Sequence, residues 1–327
     1  MNMKKKTLVL GSVAVLALSL LAGCGNDSKQ GGANKTYKVG IVQLVEHSAL
    51  DASNKGFVDG LASKGLKEGQ NLKLDRQNAQ ADQSNLNTIA QRFVSDKNDL
   101  IGAIATPAAQ SVANATKTIP VVGMAITDYT SAKLAANNEK PGRNVTGTSD
   151  GVPVEKHVAL IKELLPQAKT VGVMYSSSEI NSKVQVDRFK EEATKAGLTV
   201  KEATVTNVND IQQVGQNLVN DGVDVVWIPT DNVLVSAFPT LLQIMNNAKI
   251  PVIPSDEQKG ALAMNAVDYY KLGFQAGEMA AAILLEGKKP GEMAIQFQKD
   301  TTLIVNVDVA KALGITVPQS VLDKVKK

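Results

Sequence analysis

The sequence predicts an α/β protein of two related domains, each a mostly parallel sheet with helices on both faces, joined by a three-segment hinge. Paired apolar runs, the glycine stops of the helices between them, and a repeated spacing carry that prediction. Lys38-Val39-Gly40-Ile41-Val42-Gln43 and Thr170-Val171-Gly172-Val173-Met174-Tyr175 read as buried parallel strands, each followed by a helix. The first helix stops at Gly65 and the second at Gly197, each 25 positions beyond its strand glycine. Asp99–Ala105 and Asp224–Pro229 make a second strand pair, and Ile119–Val122 and Ile250–Ile253 a third. Gly40 to Pro120 spans 80 positions and Gly172 to Pro251 spans 79, so one βαβαβ unit stands twice in the chain.

Beyond the repeat, Asp268 to Leu285 has helical apolar spacing ended by Gly287, followed by a strand at Met293–Phe297 and a short final helix. This tail is expected to return to the first domain. The chain then crosses three times, near Asn144–Asp150, Asn265–Asp268 and Met293–Thr302. The expected division is 36–147 with 269–295 for the N-terminal lobe, and 148–268 with 296–327 for the C-terminal lobe.

The start of the chain reads as an export signal. Lys4, Lys5 and Lys6 precede an uncharged apolar stretch from Leu8 to Ala22. A membrane-spanning helix needs about 20 apolar residues, and this stretch falls short. Leu21-Ala22-Gly23-Cys24 resembles a bacterial lipobox, which implies removal of residues 1–23 and lipid on Cys24, the only cysteine. Residues 24–35 then form the lipidated end and a polar tether, by the composition of Gly25 to Asn34.

Composition limits the function. With 43% apolar and 20% charged residues, the chain can build two cores. Its 35 basic and 32 acidic side chains become 32 of each once the leader's three lysines are gone. No basic stripe with interleaved aromatics remains, which excludes nucleic acid as a partner.

Ligands of such sheets bind beyond the carboxyl ends of the strands, where helix N-termini present unpaired N–H groups. Six turns lie there. In the first domain they are Gln43 to His47, including Leu44, then Thr106-Pro107-Ala108, then Thr127-Asp128. In the second they are Tyr175-Ser176-Ser177-Ser178, with Asn181 just beyond, then Thr230-Asp231-Asn232, then Ser255-Asp256. Threonine followed by proline at 106–107 suits a helix start and a carboxylate ligand, although ordinary capping gives the same pattern. Asp128, Asp150, Asp231, Asp256 and Asp268 fall at turns and crossings, where one of them pairs with a ligand ammonium and the others are turn or cap residues. His157, inside a helical stretch, reads as structural.

No nucleophile elbow, paired-cysteine motif, metal-binding His-Glu-x-x-His or phosphate-binding Gly-Lys-Ser/Thr loop is present, and the two histidines stand 110 positions apart. The reading therefore carries no cofactor and no metal. A carboxylate-based enzyme using Asp231 and Asp256, and a receptor reporting its ligand to a membrane sensor, are the alternatives to transport.

Several segments resemble the tryptophan/tyrosine group of solute-binding proteins of ABC importers. They are Gly40-Ile41-Val42-Gln43, His47-Ser48-Ala49-Leu50-Asp51, Gly56-Phe57, Ala105-Thr106-Pro107-Ala108-Ala109-Gln110, Gly147-Thr148-Ser149-Asp150 and Ile315-Thr316-Val317-Pro318. Ser48 and Asn54 depart from the proline and basic residue common there. The resemblance implies two Rossmann-like lobes of the type I periplasmic-binding architecture, and an aromatic amino acid as ligand. Thr106–Ala108 and Ser176–Ser178 would hold its carboxylate, an aspartate its ammonium, and Gln43, Leu44, His47 and Tyr175 would line its ring. With only 4% aromatic residues, a box of several stacked rings is not expected, and another amino acid, a sugar or a nucleoside stays open. An ABC permease with its ATPase is the implied partner, and the protein is expected to be a monomer.

Overall fold

The computed structural model describes residues 35–298 and 301–325. The leader, Cys24 and most of the tether lie outside the described residues. From Lys35 onward the chain forms one compact unit.

The first lobe runs through β1 (Tyr37–Gln43), α1 (Ser48–Ser63), β2 (Leu72–Asn78), α2 (Gln83–Ser95), β3 (Leu100–Ile104), α3 (Thr106–Ala115), β4 (Val121–Ile126) and β5 (Val145–Ser149). The chain crosses into α4 (Val154–Leu164), β6 (Thr170–Ser176), α5 (Ile180–Lys195), β7 (Thr199–Val205), α6 (Ile211–Asn220), β8 (Val225–Ile228), α7 (Asn232–Ser236), α8 (Phe238–Asn247), β9 (Val252–Pro254) and β10 (Ala263–Ala266). It returns through α9 (Tyr269–Glu286) and β11 (Gln296–Phe297), then crosses a third time to β12 (Thr302–Val305), α10 (Val307–Ala312) and α11 (Gln319–Leu322).

One sheet has six parallel strands in the order β11-β5-β4-β3-β1-β2, and the other has four parallel strands in the order β7-β6-β8-β9. β10 and β12 pair antiparallel beside β9. The inner strands β1, β3, β4, β6 and β8 are almost wholly buried, which explains their unbroken apolar runs. The edge strands β2 and β7, Leu-Lys-Leu-Asp-Arg-Gln-Asn and Thr-Val-Lys-Glu-Ala-Thr-Val, keep much of their length in water. They carry no apolar run, so the repeat is one strand longer at each edge than the sequence reading made it. The six-stranded sheet runs to Ser149 and Phe297, two residues past the boundaries expected from sequence.

Two features anchor the cores. In the second lobe Trp227 stacks on Phe189 at 4.0 Å, with His157 tilted against the same indole. Burial pushes the His157 imidazole down to about 4, so it stays neutral in that core. In the first lobe α1 and α9 pack backbone to backbone. Each presents glycines four residues apart, Gly56 and Gly60 on one, Gly273 and Gly277 on the other. A Cβ on Gly273 would sit 2.0 Å from the Ser53 carbonyl oxygen, and one on Gly56 2.1 Å from that of Tyr270. Asp268 caps the start of α9 and Gly287, left-handed at φ 70°, ends it.

Candidate ligand-binding cleft

The C-terminal ends of the two sheets face each other, as three contacts between the lobes show. His47, after β1, lies 3.2 Å from Asn232 Oδ1, after β8. Asp128, after β4, accepts a 2.6 Å bond from the Arg188 guanidinium on α5. At the hinge the Tyr269 hydroxyl touches two carboxyls, Asp150 at 3.2 Å and Asp256 at shorter range. The crossings are also tied together, since the Asp268 N–H donates to Gln298 Oε1 at 2.8 Å.

Asp150, Asp256 and Tyr269 are all buried, at 3%, 5% and 7% exposure. Among the described residues no lysine or arginine is paired with either acid. Burial lifts Asp150 to about 6. Burial, with the Asp150 charge added, lifts Asp256 to about 7. A carboxyl that binds its proton more tightly when folded stabilises the fold at low pH and loses that stabilisation as pH rises through its folded value. Ligand-free wild type should therefore gain stability over Asp256→Asn as pH falls from about 8 to about 4. Urea unfolding of both proteins at four pH values checks it, and a constant difference would reject the assignment.

A second buried acidic group lies across the cleft. Glu179 accepts from the Val233 N–H at 3.1 Å, the Asn232 amide at 2.6 Å and the Asn181 amide at 3.1 Å. Asp231 accepts from the Ser176 N–H at 2.6 Å and caps α7 through the Leu234 N–H at 2.9 Å. Burial raises both carboxyls, and the Asp231 charge raises Glu179 further.

The α3 N-terminus is open. Ala105 stands at φ 82° and ψ 153°, a conformation that costs a non-glycine residue about 1–3 kcal/mol. It turns the chain from β3 straight into the helix. No side chain caps α3, and the N–H groups of Thr106 and Ala108 find no acceptor among the described residues. The Thr106 hydroxyl is also buried without a partner. The same is true of His47 Nδ1, Thr127 Oγ1, Asp150 Oδ1, Asn181 Oδ1 and Ser255 Oγ. These six atoms follow the C-terminal ends of strands; the other unpaired buried polar atoms among the described residues belong to Ser53, Asn138, Thr148, His157 and Trp227. Polar atoms are seldom buried unpaired, so these strand ends are the candidate site for a polar ligand.

The other candidates have partners inside the protein. Ser176 and Ser177 N–H groups donate to Asp231 and to the Val205 carbonyl, and the Ser178 N–H to Ser176 Oγ. The Tyr175 ring sits in the core of its lobe, with its hydroxyl on Glu202 at 3.0 Å. Thr230 offers its carbonyl to Asn181 and Ser182. Asp268 is the α9 cap and pairs with Lys271 at 3.0 Å. Burial opposes ionisation of Asp128, but bonds from Ser131, Thr130 and Arg188 outweigh it and pull it to about 2. Gln43 braces the loop that carries His47, donating to Val45 O and Asp51 and accepting from Asn54. Leu44, Pro107 and Ala108 are buried beside these groups. Among the described residues no three His, Cys, Asp or Glu side chains converge as metal ligands would.

Sequence reasoning missed Glu179 and Tyr269. A glutamate directly before a helix start, in place of the usual short capping residue, was the only trace of the first. A tyrosine directly after the aspartate of a crossing was that of the second.

Residues 38–327 match the family model described as ABC transporter substrate binding protein. The chain belongs to that family. Its members are extracytoplasmic solute-binding proteins, and this substrate-binding protein shares the type I periplasmic-binding fold. It is 44% identical to a tyrosine-binding protein of Clostridioides difficile strain R20291, over 95% of this chain and 93% of that one. A Streptococcus pneumoniae domain in complex with L-Trp is 42% identical, covers 89% of this chain and 99% of its own, and superposes with a TM-score of 0.85. A ligand-free, open substrate-binding protein with adhesive properties from Clostridium difficile is 46% identical, covers 89% and 98%, yet scores 0.67. In this structure the His47–Asn232 and Asp128–Arg188 contacts bridge the two lobes.

Proposed function

We propose that this substrate-binding protein captures an aromatic L-amino acid between its lobes and passes it to an ABC permease and its ATPase. The carrying observation is Asp150, a buried carboxyl at the hinge that only uncharged hydroxyls, those of Thr127 and Tyr269, approach, and that no lysine or arginine among the described residues pairs with. An ammonium supplies the missing charge and donors. Two strands away, at about 10 Å by strand spacing, the open N-terminus of α3 and the Thr106 hydroxyl suit the carboxylate of the same molecule. The tyrosine-binding relative and the L-Trp complex support an aromatic side chain. Both Asp231 oxygens are occupied by backbone N–H groups, which supports binding without catalysis. In this reading the protein is a monomer held on the outer face of the membrane by lipid on Cys24.

The test is thermal unfolding of residues 25–327 with each of the twenty amino acids, common sugars and nucleosides. A ligand that binds only the folded state raises the melting temperature by mass action. Tryptophan or tyrosine is expected to give the largest rise. A rise with a sugar or nucleoside alone would overturn the ligand class.

A further inference from the structure

We infer that His47 selects the ligand's ring: locked in one tautomer, it presents Nδ1 as an acceptor and favours a phenol O–H or indole N–H over a bare phenyl group. The inference rests on the aromatic amino acid reading above and goes beyond it by naming the residue that discriminates.

The tautomer follows from a relay across the cleft. Glu179 is turned inward and receives the Val233 backbone N–H on Oε1 and two amides on Oε2. The Val233 N–H can only donate to Oε1, and the Asn181 nitrogen, held by its 2.8 Å bond to the Thr230 carbonyl, donates to Oε2, so each Glu179 oxygen accepts at least one bond. With Glu179 ionised, the Asn232 amide, 2.6 Å from its Oε2, turns its nitrogen toward the carboxylate and its oxygen toward the other lobe. That oxygen faces His47 Nε2 at 3.2 Å, which must carry the proton. His47 Nδ1 is left as the bare acceptor, and it is buried with no partner. Burial lowers the imidazole against the opposing effects of the Asn232 bond and the Asp51 charge, which keeps the ring neutral and Nδ1 free to accept.

The position suits a side chain rather than the amino-acid backbone. Along the six-stranded sheet the order is β5, β4, β3, β1, so Asp150, Thr127, the α3 N-terminus and His47 follow one another along its edge. His47 stands three strands from Asp150, about 14 Å by strand spacing. That span matches an extended aromatic amino acid with a hydrogen bond at each end, its backbone at Asp150 and α3 and its ring tip at His47. A buried acceptor left unpaired by the wrong ligand penalises that ligand more than a missing apolar contact does.

Calorimetric titration of the mature protein with L-tyrosine, L-tryptophan and L-phenylalanine tests this. Phenylalanine is expected to bind about 30-fold or more weakly than the better of the other two. His47→Leu should weaken the donor-bearing ligands by about that factor and leave phenylalanine within about threefold, which also shows that the variant is folded. Nitrogen NMR of labelled histidine should report the Nε2-protonated form, with the Nδ1 resonance moving on addition of tyrosine or tryptophan but not phenylalanine. Equal wild-type affinities, or equal weakening of all three by His47→Leu, would overturn the inference and leave the cleft reading standing. Failure of all three to bind the wild type would overturn both.

Discussion

Asp150→Asn is expected to weaken tryptophan and tyrosine binding by at least about 100-fold, because a buried ammonium that loses its carboxylate is left desolvated and unpaired. The substitution keeps the shape of the side chain and an acceptor for the Tyr269 hydroxyl, now 3.2 Å from Asp150 Oδ2. It also removes a charge that burial disfavours, so the ligand-free protein should be as stable as wild type or more stable. Binding and stability thus move in opposite directions, which separates a lost contact from a lost fold. Titration calorimetry and thermal unfolding of the same sample check both. Wild-type affinity should also fall as pH drops through about 6, where Asp150 takes up its proton. Undiminished affinity in Asp150→Asn would remove this residue from the site.

The second large effect concerns stability. Gly273→Ala should cost at least about 3 kcal/mol, since the new methyl group meets backbone that no rotamer change can move. The Ser53 carbonyl oxygen and carbon would lie 2.0 and 2.8 Å from the added Cβ, so α1 and α9 would have to separate. Separation would also loosen the matching approaches at Gly277 and Gly60, where an added Cβ would lie 2.3 Å from the Phe57 carbonyl oxygen and 2.2 Å from that of Phe274. Gly287→Ala is the comparison. That glycine has a left-handed φ of 70° but no atom within 4 Å of an added Cβ, so its cost should be about 1 kcal/mol. Urea unfolding ranks the two, and equal losses would contradict the close packing of the two helices.

How much of this was legible depends on where the physical cause of each feature lies. The inner strands were readable because burial on both faces demands an uninterrupted apolar run. α9 was readable because Asp268 and Gly287 are local signals for the start and end of a helix. β2 and β7 were not, since Lys73, Asp75 and Arg76, like Lys201 and Glu202, face water or ion pairs at a sheet edge. In the cleft, the topology rule pointed to the turns that carry Asp150, Asp256, Thr106 and His47, without saying which atoms would be left unpaired. That division arises from partners far away in the chain. Glu179 meets Asn232 across 53 positions, His47 meets Asn232 across 185, and Tyr269 meets Asp150 across 119. The serines at 176–178 show the converse: as a local pattern they looked like a free cradle, and their N–H groups are taken by Asp231, the Val205 carbonyl and Ser176 Oγ.

The glycine contact between α1 and α9 also sets an order of assembly. The four strands β6 to β9 follow one another between Thr170 and Pro254, so their sheet needs no distant segment. α1 must wait for α9, more than two hundred positions later, before its bare glycine face is covered. A chain emerging from its N-terminus therefore makes its first lobe early and closes it late, with the second sheet built in the interval. Until then the first lobe exposes a smooth helical groove with little side-chain relief, and a chain cut after Asp268 would expose it permanently.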